Sequence, residues 1–210
     1  MTSLPRPSKI VCVGRNYVAH AAELGNEVPT EPLLFLKPPS ALIRVGEPIV
    51  LPPDAGRVDF EGEIGVVMGR RASHVSQADA MAFVGGFLPV NDVTARELQR
   101  KDSQWSRAKG FDTFCPIGEM VPVLDVNMDR LSVVSRVNGE ERQRGSASQM
   151  VFSIPFLISY ISRIMTLEPG DILATGTPEG VGPLAPGDVV EVELSGLNTL
   201  TNPVVMGSER

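Results

Sequence analysis

The sequence predicts a single compact domain of mixed α/β structure, mainly β, that carries several short helices. Of its 210 residues, 42% are hydrophobic and 21% are charged, which is typical of a globular chain. The 20 glycines and 18 prolines follow no triplet period and separate short apolar runs, so they indicate many turns between strands.

Composition also narrows the possible partners and locations. The 19 basic and 25 acidic residues give a formal net charge of -6, which argues against nucleic acid because phosphate neutralisation needs a positive face. No apolar run approaches the ~18 to 20 residues of a membrane span, and the N-terminus lacks a signal-peptide pattern. We therefore expect a cytoplasmic protein whose Cys12 and Cys115 are reduced, buried thiols rather than a disulfide or zinc ligands.

The N-terminal quarter is predicted to contain a strand, a short helix and an extended segment. The β-branched run Lys9–Val13 suits a buried strand. Asn16 is a plausible N-cap for a helix over Tyr17–Leu24, and Gly25 stands where a left-handed residue would end it. The segment Val28–Ala55 holds seven prolines and therefore indicates extended chain with turns.

The segment Val58–Met68 alternates acidic with apolar or small residues, which predicts one strand with Asp59, Glu61 and Glu63 on one face. Glu61 and Glu63 would then have Cα atoms roughly 6.6 Å apart, so both carboxylates can converge on one cation. An arginine or lysine would satisfy them as well as a metal ion would. A solvent-facing strand edge is the commoner setting for such a pair.

The remaining elements are predicted from turn residues and helix signals. In chain order they are a short helix over Gln77–Phe83 capped by Ser76, a strand over Val84–Val90 with a bulge at Gly85 and Gly86, an amphipathic helix over Ala95–Asp102, a hairpin strand over Leu131–Val137 with a type I′ turn at Asn138 and Gly139, a helix over Ser153–Met165 with Pro155 in its first turn, and strands with turns over Asp171–Val205.

Asp92 offers a third carboxylate at the end of an apolar strand, where functional groups are common. Together with Glu61 and Glu63 it would form a set of hard oxygen ligands. Such a set suits Mg²⁺ or Mn²⁺ and leaves about three octahedral positions for water or a chelating substrate. Zinc would prefer imidazole or thiolate, and the chain has only two histidines.

His20 lies three residues before Glu23, a spacing that lets the two side chains meet on a helix and allows the pair to act as a general base. An ordinary surface pair has the same spacing, and His74 in a polar stretch is interpreted as a surface residue. Lys109 and Thr177, in segments rich in small residues, are candidate oxyanion ligands, although ordinary turn chemistry explains them equally well. Neither a nucleotide-binding glycine loop nor a serine-hydrolase elbow is present.

Five stretches of the sequence carry more information together than any one of them does. They are Cys12–Tyr17 with His20 and Glu23, Asp59–Glu63, Asn91–Arg96 with Gln99, Ala108–Phe114, and Thr175–Pro183. In this order they resemble the fumarylacetoacetate hydrolase family, and the likeness extends from about Ile10 to Val204.

The resemblance implies a β-roll fold, a homodimer, and one Mg²⁺ or Mn²⁺. Its site residues, carried over by position, are Glu61, Glu63 and Asp92 as metal ligands, His20 and Glu23 on a lid helix as the activators of a water, Lys109 and Thr177 in contact with the substrate carboxylate or enolate, and Arg15, Arg96 and Gln99 as further substrate-binding residues. Glu97 departs from the pattern, because close relatives often have aspartate there.

The single-domain form is similar to the branch that contains acylpyruvate hydrolases and oxaloacetate decarboxylases. It implies an N-terminal segment with the lid helix over residues 1–45 and a catalytic domain over residues 46–210. The expected activity is hydrolysis of a carbon–carbon bond in 2,4-dioxo acids such as fumarylpyruvate or acetylpyruvate, in which the metal stabilises a pyruvate enolate.

Several other activities remain open at this point. Oxaloacetate decarboxylation and keto–enol tautomerisation would use the same site. A 2-hydroxyhepta-2,4-diene-1,7-dioate isomerase would be favoured by an extra cationic group, such as Arg15 or Arg107, for the distal carboxylate. The alternative outside enzymology is an inactive metal-binding dimer, against which the intact set of site residues argues.

Overall fold

The computed structural model describes residues 6–23, 25 and 27–208, and their secondary structure is mainly β. The strands are β1 (Ile10–Gly14), β2 (Leu33–Lys37), β3 (Leu42–Ile43), β4 (Ile49–Leu51), β5 (Val58–Phe60), β6 (Gly62–Met68), β7 (Val84–Asn91), β8 (Thr94–Ala95), β9 (Cys115–Pro116), β10 (Val121–Pro122), β11 (Ser132–Val137), β12 (Glu140–Ser146), β13 (Ile172–Ala174), β14 (Gly182–Pro183), β15 (Val189–Leu194) and β16 (Asn198–Met206). The α-helices are α1 (Val18–Glu23), α2 (Arg96–Lys101), α3 (Ser106–Lys109) and α4 (Ile154–Ile164).

Two larger sheets enclose the main core. The first has six strands in the order β10-β7-β6-β13-β1-β2, and only its β1 and β13 run parallel. The second has the order β12-β11-β15-β16-β4, and its β11 and β15 pack on β6 and β7. Ile64 and Val66 of β6 and Val192 of β15 are fully buried in this core. Two small sheets, β14-β5-β8 and β3-β9, complete the described fold.

The prediction of one strand over Val58–Met68 is wrong, because the chain changes sheets at Glu61. β5 pairs with β8 and β14, whereas β6 pairs with β7 and β13. At the division the Glu61 backbone pairs with the Asn91 side chain and the Asp92 backbone. Asp59 consequently belongs to the small sheet and pairs with arginines, not with the other two carboxylates.

The helix predicted near the N-terminus is present, but its predicted cap is wrong. α1 begins at Val18 and ends at Glu23; the predicted end at Leu24 lies outside the described residues. Asn16 does not cap this helix, because its side chain donates to Phe152 O (3.1 Å) and Thr175 O (2.8 Å) and accepts from Phe152 N. The residue thus fixes the turn after β1 to two distant segments.

The predictions further along the chain are largely confirmed. The β6–β7 ladder shifts register beside Gly85, and the Asn138–Gly139 turn has the two positive φ angles of type I′ (54° and 78°). The helix predicted over Gln77–Phe83 contracts to a 3₁₀ turn over Ala80–Phe83. Both cysteines are buried and free. None of the helices in the described ranges combines the length and apolarity that crossing a membrane requires.

Asp171 fastens the first strand to the start of β13. Its buried carboxylate accepts hydrogen bonds from the backbone N–H groups of Ser8, Lys9 and Glu168, from the Ser8 hydroxyl, and from Lys9 Nζ at 2.5 Å. Burial by itself would raise the pKa of Asp171, but these hydrogen bonds lower it below its ordinary value. The folded state therefore stabilises the ionised form of the Asp171 carboxylate.

Replacing Asp171 by asparagine is expected to lower the free energy of unfolding by about 2 to 4 kcal/mol at pH 7, because a buried, charge-assisted cluster loses its acceptor. A lowered pKa stabilises the fold above the unfolded pKa of about 3.9, and this contribution is lost as the pH falls. Urea unfolding should thus show a smaller difference from wild type at pH 3. Asp125→Asn, at an exposed residue, is the control, and equal losses in both variants would contradict the assignment.

Candidate active site

The structure brings three buried carboxylates together where the start of β6 lies beside the end of β7. Glu61 lies at the division between β5 and β6, Glu63 is the second residue of β6, and Asp92 follows β7 directly. Because β6 and β7 are antiparallel neighbours in which Glu63 faces Val90, the start of one strand lies beside the end of the other. Each residue contributes a ligand atom within 4.8 Å of the other two. We call these three residues the acidic trio.

One oxygen of each carboxylate in the acidic trio is anchored by the protein. Arg96 Nη1 contacts Glu61 Oε1 at 2.6 Å, and the Gly176 N–H donates to Glu63 Oε2 at 2.8 Å. Lys37, fully buried at the end of β2, donates to Asp92 Oδ1 at 2.5 Å. The sequence analysis missed Lys37, although a lysine closing an apolar run is a usable signal, since a buried lysine needs an anionic partner.

Lys109 contacts two of the remaining oxygens. Its Nζ lies 2.8 Å from Glu61 Oε2 and 2.5 Å from Asp92 Oδ2, and 4.9 Å from the centroid of the Phe35 ring. Burial lowers the pKa of Lys109, but Asp92 and Glu61 outweigh burial and raise it above its ordinary value. Lys109 is therefore a fixed ammonium group beside the acidic trio, and it is suited to neutralise negative charge rather than to accept a proton.

Glu63 differs from its neighbours because it forms no salt bridge within the described residues. Burial, followed by the charges of Asp92 and Glu61, raises its pKa well above the ordinary value. Burial also opposes ionisation of Glu61, but Lys109 and Arg96 lower the pKa of that residue. Glu63 is thus the member of the acidic trio whose charge has no cationic contact among the described residues. Its hard oxygen donors, together with those of Glu61 and Asp92, fit Mg²⁺ or Mn²⁺.

Gly62 allows the chain to pass close to β11 between the two glutamates. A Cβ atom added at Gly62 would lie 1.9 Å from Ser135 Oγ, a separation that no packing tolerates. The Gly62 N–H donates to Gln143 Oε1 at 2.9 Å, which fixes the backbone at this point. The absence of a side chain at residue 62 therefore determines where both glutamate side chains begin.

The variant Gly62→Ala is expected to lose about 1 to 3 kcal/mol of stability through overpacking and to bind Mn²⁺ more weakly, because both flanking glutamates move. The loss should be smaller in a Ser135→Gly background, which removes the clashing atom. Chemical denaturation and calorimetric Mn²⁺ titration measure the two effects. Gly182→Ala, where the added Cβ would lie 3.4 Å from Phe60, is the control. Equal losses in both backgrounds would exclude the contact with Ser135 as the cause.

His20 and Glu23 form a hydrogen-bonded pair on α1. His20 is buried, and its Nδ1 lies 3.3 Å from Glu23 Oε2. Glu23 also accepts from the Gly180 N–H at 3.1 and 3.2 Å, so α1 is tied to the loop that follows β13. Because Nδ1 is held by Glu23, Nε2 is the ring nitrogen left to exchange a proton.

Arg96 joins several site residues through different nitrogens. Its Nε donates to Asp59, and its Nη1 contacts Glu61 and Gln99. Its Nη2 is buried and has no hydrogen-bond partner among the residues that the structure describes. A buried donor without a partner costs free energy, so this atom is a candidate ligand-binding group.

The hydroxyl group of Thr177 is already committed to the protein. It donates to Gly62 O at 2.9 Å and accepts from Gln143 Nε2 at 2.7 Å. Because its one proton goes to Gly62 O, this hydroxyl can only accept a further hydrogen bond, and contact with a substrate carboxylate or enolate would require it to release Gly62 O. Sequence reasoning missed Gln143, which lies on β12 and gains its role only through pairing across distant segments.

These groups surround one cavity of about 390 Å³. Its walls are formed by Val13, Gly14, Arg15, His20, Phe35, Glu61, Glu63, Asp92, Arg96, Gln99, Arg100, Trp105, Lys109 and Thr177. Arg107 is absent from this lining and pairs with Asp102 on the surface. Glu97 is exposed, with its carboxylate against Gly56. His74 is exposed, as predicted.

A family model described as "Fumarylacetoacetate (FAA) hydrolase C-terminal" matches residues 9–205. The chain belongs to the fumarylacetoacetate hydrolase family. The match confirms the predicted membership. The predicted fold class is confirmed as well, because the chain is mainly β and its structural neighbours are proteins of the fumarylacetoacetate hydrolase fold.

Several relatives in the fumarylacetoacetate hydrolase family carry functional names, and three of them show the range of activities. A mitochondrial oxaloacetate tautomerase of Oryza sativa is 49% identical over 202 residues, which cover 92% of this chain and 89% of the relative. The structure of a 2-hydroxyhepta-2,4-diene-1,7-dioate isomerase from Mycobacterium marinum is 44% identical with a TM-score of 0.88, covering 97% of this chain and 77% of that one. A fumarylpyruvate hydrolase from Pseudomonas aeruginosa, solved with Mn²⁺ and pyruvate, is 33% identical with a TM-score of 0.90, covering 96% and 91%.

Proposed function

We propose that this protein is a divalent-metal-dependent hydrolase that cleaves a carbon–carbon bond in 2,4-dioxo acids, namely acylpyruvates such as fumarylpyruvate or acetylpyruvate. One observation carries the proposal: the acidic trio and His20, whose Nδ1 contacts Glu23, line a single cavity. Hydrolysis of such an acid needs both electrostatic stabilisation at one end of the substrate and a base at the other.

Glu61, Glu63 and Asp92 would hold Mg²⁺ or Mn²⁺. When bound, the ion supplies Lewis acidity, which favours the negative charge that develops on the oxygens of a 2-oxo acid. Two protein groups support the same charge from fixed positions. Lys109 is a buried ammonium, and Arg96 Nη2 is a buried donor to which no other described residue offers an acceptor.

His20 would act as the general base. With Nδ1 held by Glu23, its Nε2 takes a proton from a water whose oxygen bonds to the carbonyl carbon C4. The C3–C4 bond then breaks, and its electron pair passes to the pyruvate part, which leaves as the enolate. The proton that His20 took from water returns to C3 and regenerates the base. The products are pyruvate and the carboxylic acid of the acyl group. Glu23 orients the imidazole and stabilises its protonated form.

A second candidate is the keto–enol tautomerisation of oxaloacetate, because the relative from Oryza sativa carries that activity in its name. The same base would move a proton between C3 and the 2-oxo oxygen without the attack of water. Decarboxylation of oxaloacetate, or isomerisation of a dienol diacid, would begin from the same bound 2-oxo acid. A homodimer is part of the proposal, and light scattering after size exclusion measures it.

A substrate panel tests the proposal. Purified protein with Mg²⁺ is offered acetylpyruvate, fumarylpyruvate, oxaloacetate and a dienol diacid, and pyruvate release and the enol absorbance are followed. Release of pyruvate from the two acylpyruvates, lost with EDTA and restored by Mg²⁺ or Mn²⁺, supports hydrolysis. Enol conversion of oxaloacetate without acylpyruvate cleavage would replace the first candidate by the second. Activity that survives EDTA would contradict the metal assignment.

A further inference from the structure

Two lysines contact the same carboxylate of the acidic trio, one through each of its oxygens. Lys37 Nζ donates to Asp92 Oδ1 and Lys109 Nζ donates to Asp92 Oδ2, each at 2.5 Å. The side chains of both lysines are buried. Their surroundings differ, however, and the difference indicates different roles.

Lys37 is built into the fold. It is the last residue of β2, where it pairs with Ile10 of β1, and its Nζ also donates to Val93 O at 3.1 Å. Among the described residues that line the cavity, Lys37 is absent. An ammonium group with two protein acceptors and no contact with the cavity keeps its place when a ligand enters. Lys37 is therefore a permanent anchor of Asp92.

Lys109, in contrast, lines the cavity. Besides Asp92 Oδ2, its Nζ contacts Glu61 Oε2 at 2.8 Å. These two oxygens are the ones that Lys37 and Arg96 leave free, since Lys37 holds Asp92 Oδ1 and Arg96 holds Glu61 Oε1. A divalent ion held by the acidic trio would need the same two oxygens, because the other oxygen of each carboxylate is already anchored.

The protein's own charges already balance at this site. The three carboxylates of the acidic trio are matched by three cationic groups, Lys37, Arg96 and Lys109, and the nearby Asp59 is matched by Arg57. A divalent ion adds two positive charges to this balanced set. Its repulsion is strongest on the ammonium group that shares its oxygens, because the Coulomb energy rises as the distance shortens.

We propose that Lys109 is an exchangeable counter-ion, whose ammonium holds Glu61 and Asp92 until a divalent ion takes their two oxygens. The proposal rests on the metal site of the proposed function and not on its substrate. Lys109 and the ion thus compete for one position, and the affinity for the ion is lower than the three carboxylates alone would give.

Phe35 provides a contact for the released ammonium group. Its ring lines the same cavity and lies 4.9 Å from Lys109 Nζ, and an aromatic face attracts a cation. Once both carboxylates are released, the ammonium group is available to an anionic oxygen of the substrate. Binding of the ion therefore also frees the group that receives the substrate, and the ion binds first.

Two equal substitutions with opposite effects test the proposal. Calorimetric titration with Mn²⁺ compares wild type with Lys109→Met and Lys37→Met, each of which removes one ammonium group from Asp92. Lys109→Met removes a competitor, so the dissociation constant should fall by at least about 10-fold. Lys37→Met removes an anchor, so the dissociation constant should rise by about 10- to 100-fold. Lys101→Met, at an exposed residue of α2, controls for the change of net charge and should alter it less than about threefold.

Urea unfolding provides a second measurement. Lys109→Met leaves Glu61 and Asp92 with one cationic partner fewer, so its unfolding midpoint without metal should fall below that of wild type. Saturating Mn²⁺ should then raise the midpoint of Lys109→Met by more than it raises that of wild type.

Crystal structures of wild type grown with and without Mg²⁺ decide the matter if Lys109→Met does not fold without metal. With Mg²⁺ bound, Lys109 Nζ should lie more than about 3.5 Å from both oxygens, beyond hydrogen-bond distance. A Mg²⁺-loaded structure in which Nζ keeps both contacts, or an unchanged or weaker Mn²⁺ affinity in Lys109→Met, would overturn the proposal and leave the metal site standing. If wild type does not bind Mn²⁺ at all, the proposed function and this proposal both fail.

Discussion

Replacing Glu63 by glutamine is expected to abolish turnover and, at the same time, to raise the stability of the metal-free protein. The two effects have one cause. Glu63 is a buried carboxylate that forms no salt bridge with any other described residue, so its ionised form is costly in the metal-free fold. Glutamine keeps the shape and can still accept from the Gly176 N–H, but it brings no charge. Function and stability therefore change in opposite directions.

We expect the value of kcat/KM to fall by at least about 10³-fold and the affinity for Mn²⁺ by about 10- to 100-fold or more in Glu63→Gln. The free energy of unfolding without metal should rise by about 1 to 3 kcal/mol. Calorimetric titration and denaturant unfolding measure these quantities separately. Glu168→Gln, at a surface ion pair with Arg71, is the control. If Glu63→Gln keeps wild-type Mn²⁺ affinity, the assignment of Glu63 as a metal ligand is wrong.

Replacing His20 by asparagine is expected to remove hydrolysis while leaving metal binding intact. His20 is separate from the acidic trio, and its partner Glu23 is tied to Gly180 through another hydrogen bond. Loss of a general base typically costs 10²- to 10⁴-fold in rate. We therefore expect kcat for acylpyruvate cleavage to fall in that range, and the Mn²⁺ dissociation constant to change by less than about threefold.

The chain provides its own control, because its only other histidine, His74, is exposed on the surface. His74→Asn should behave as wild type in both measurements. Hydrolysis that persists in His20→Asn would contradict the base assignment. If His20→Asn also lost Mn²⁺ binding, α1 would be needed for the structure of the metal site and not only for the activation of water.

Local patterns predicted much of the fold. Residues that tolerate positive φ angles predicted the hairpin turn at Asn138 and Gly139 and the turn at Gly25 after α1. All three residues have positive φ angles in the structure. The bulge at Gly85 and the helix that begins after Ser153 likewise follow from residues adjacent in sequence. Such features depend on the conformational limits of a few neighbouring residues.

The errors and omissions concern residues whose partners are distant. Asn16 has the composition of a helix cap, but bonds to Phe152 and Thr175 override it. The division at Glu61 is set by pairing with Asn91 and Asp92, which no pattern within residues 58–68 encodes. The roles of Lys37 and Gln143 likewise depend on contacts formed only in three dimensions. The acidic trio was grouped from its residue types and its positions on and after strands, and the family resemblance then implied the same three residues as metal ligands.

The hydrogen bonds that shape the cavity also determine when it can form. Gly176 reaches Glu63 across 113 residues, and Gly180 reaches Glu23 across 157. Contacts of such sequence separation require long loops to close, so they form late and slowly in folding. During refolding, catalytic competence should therefore return with the slowest global phase rather than with the first secondary structure. A nascent chain would remain inert until the segment after β13 had left the ribosome.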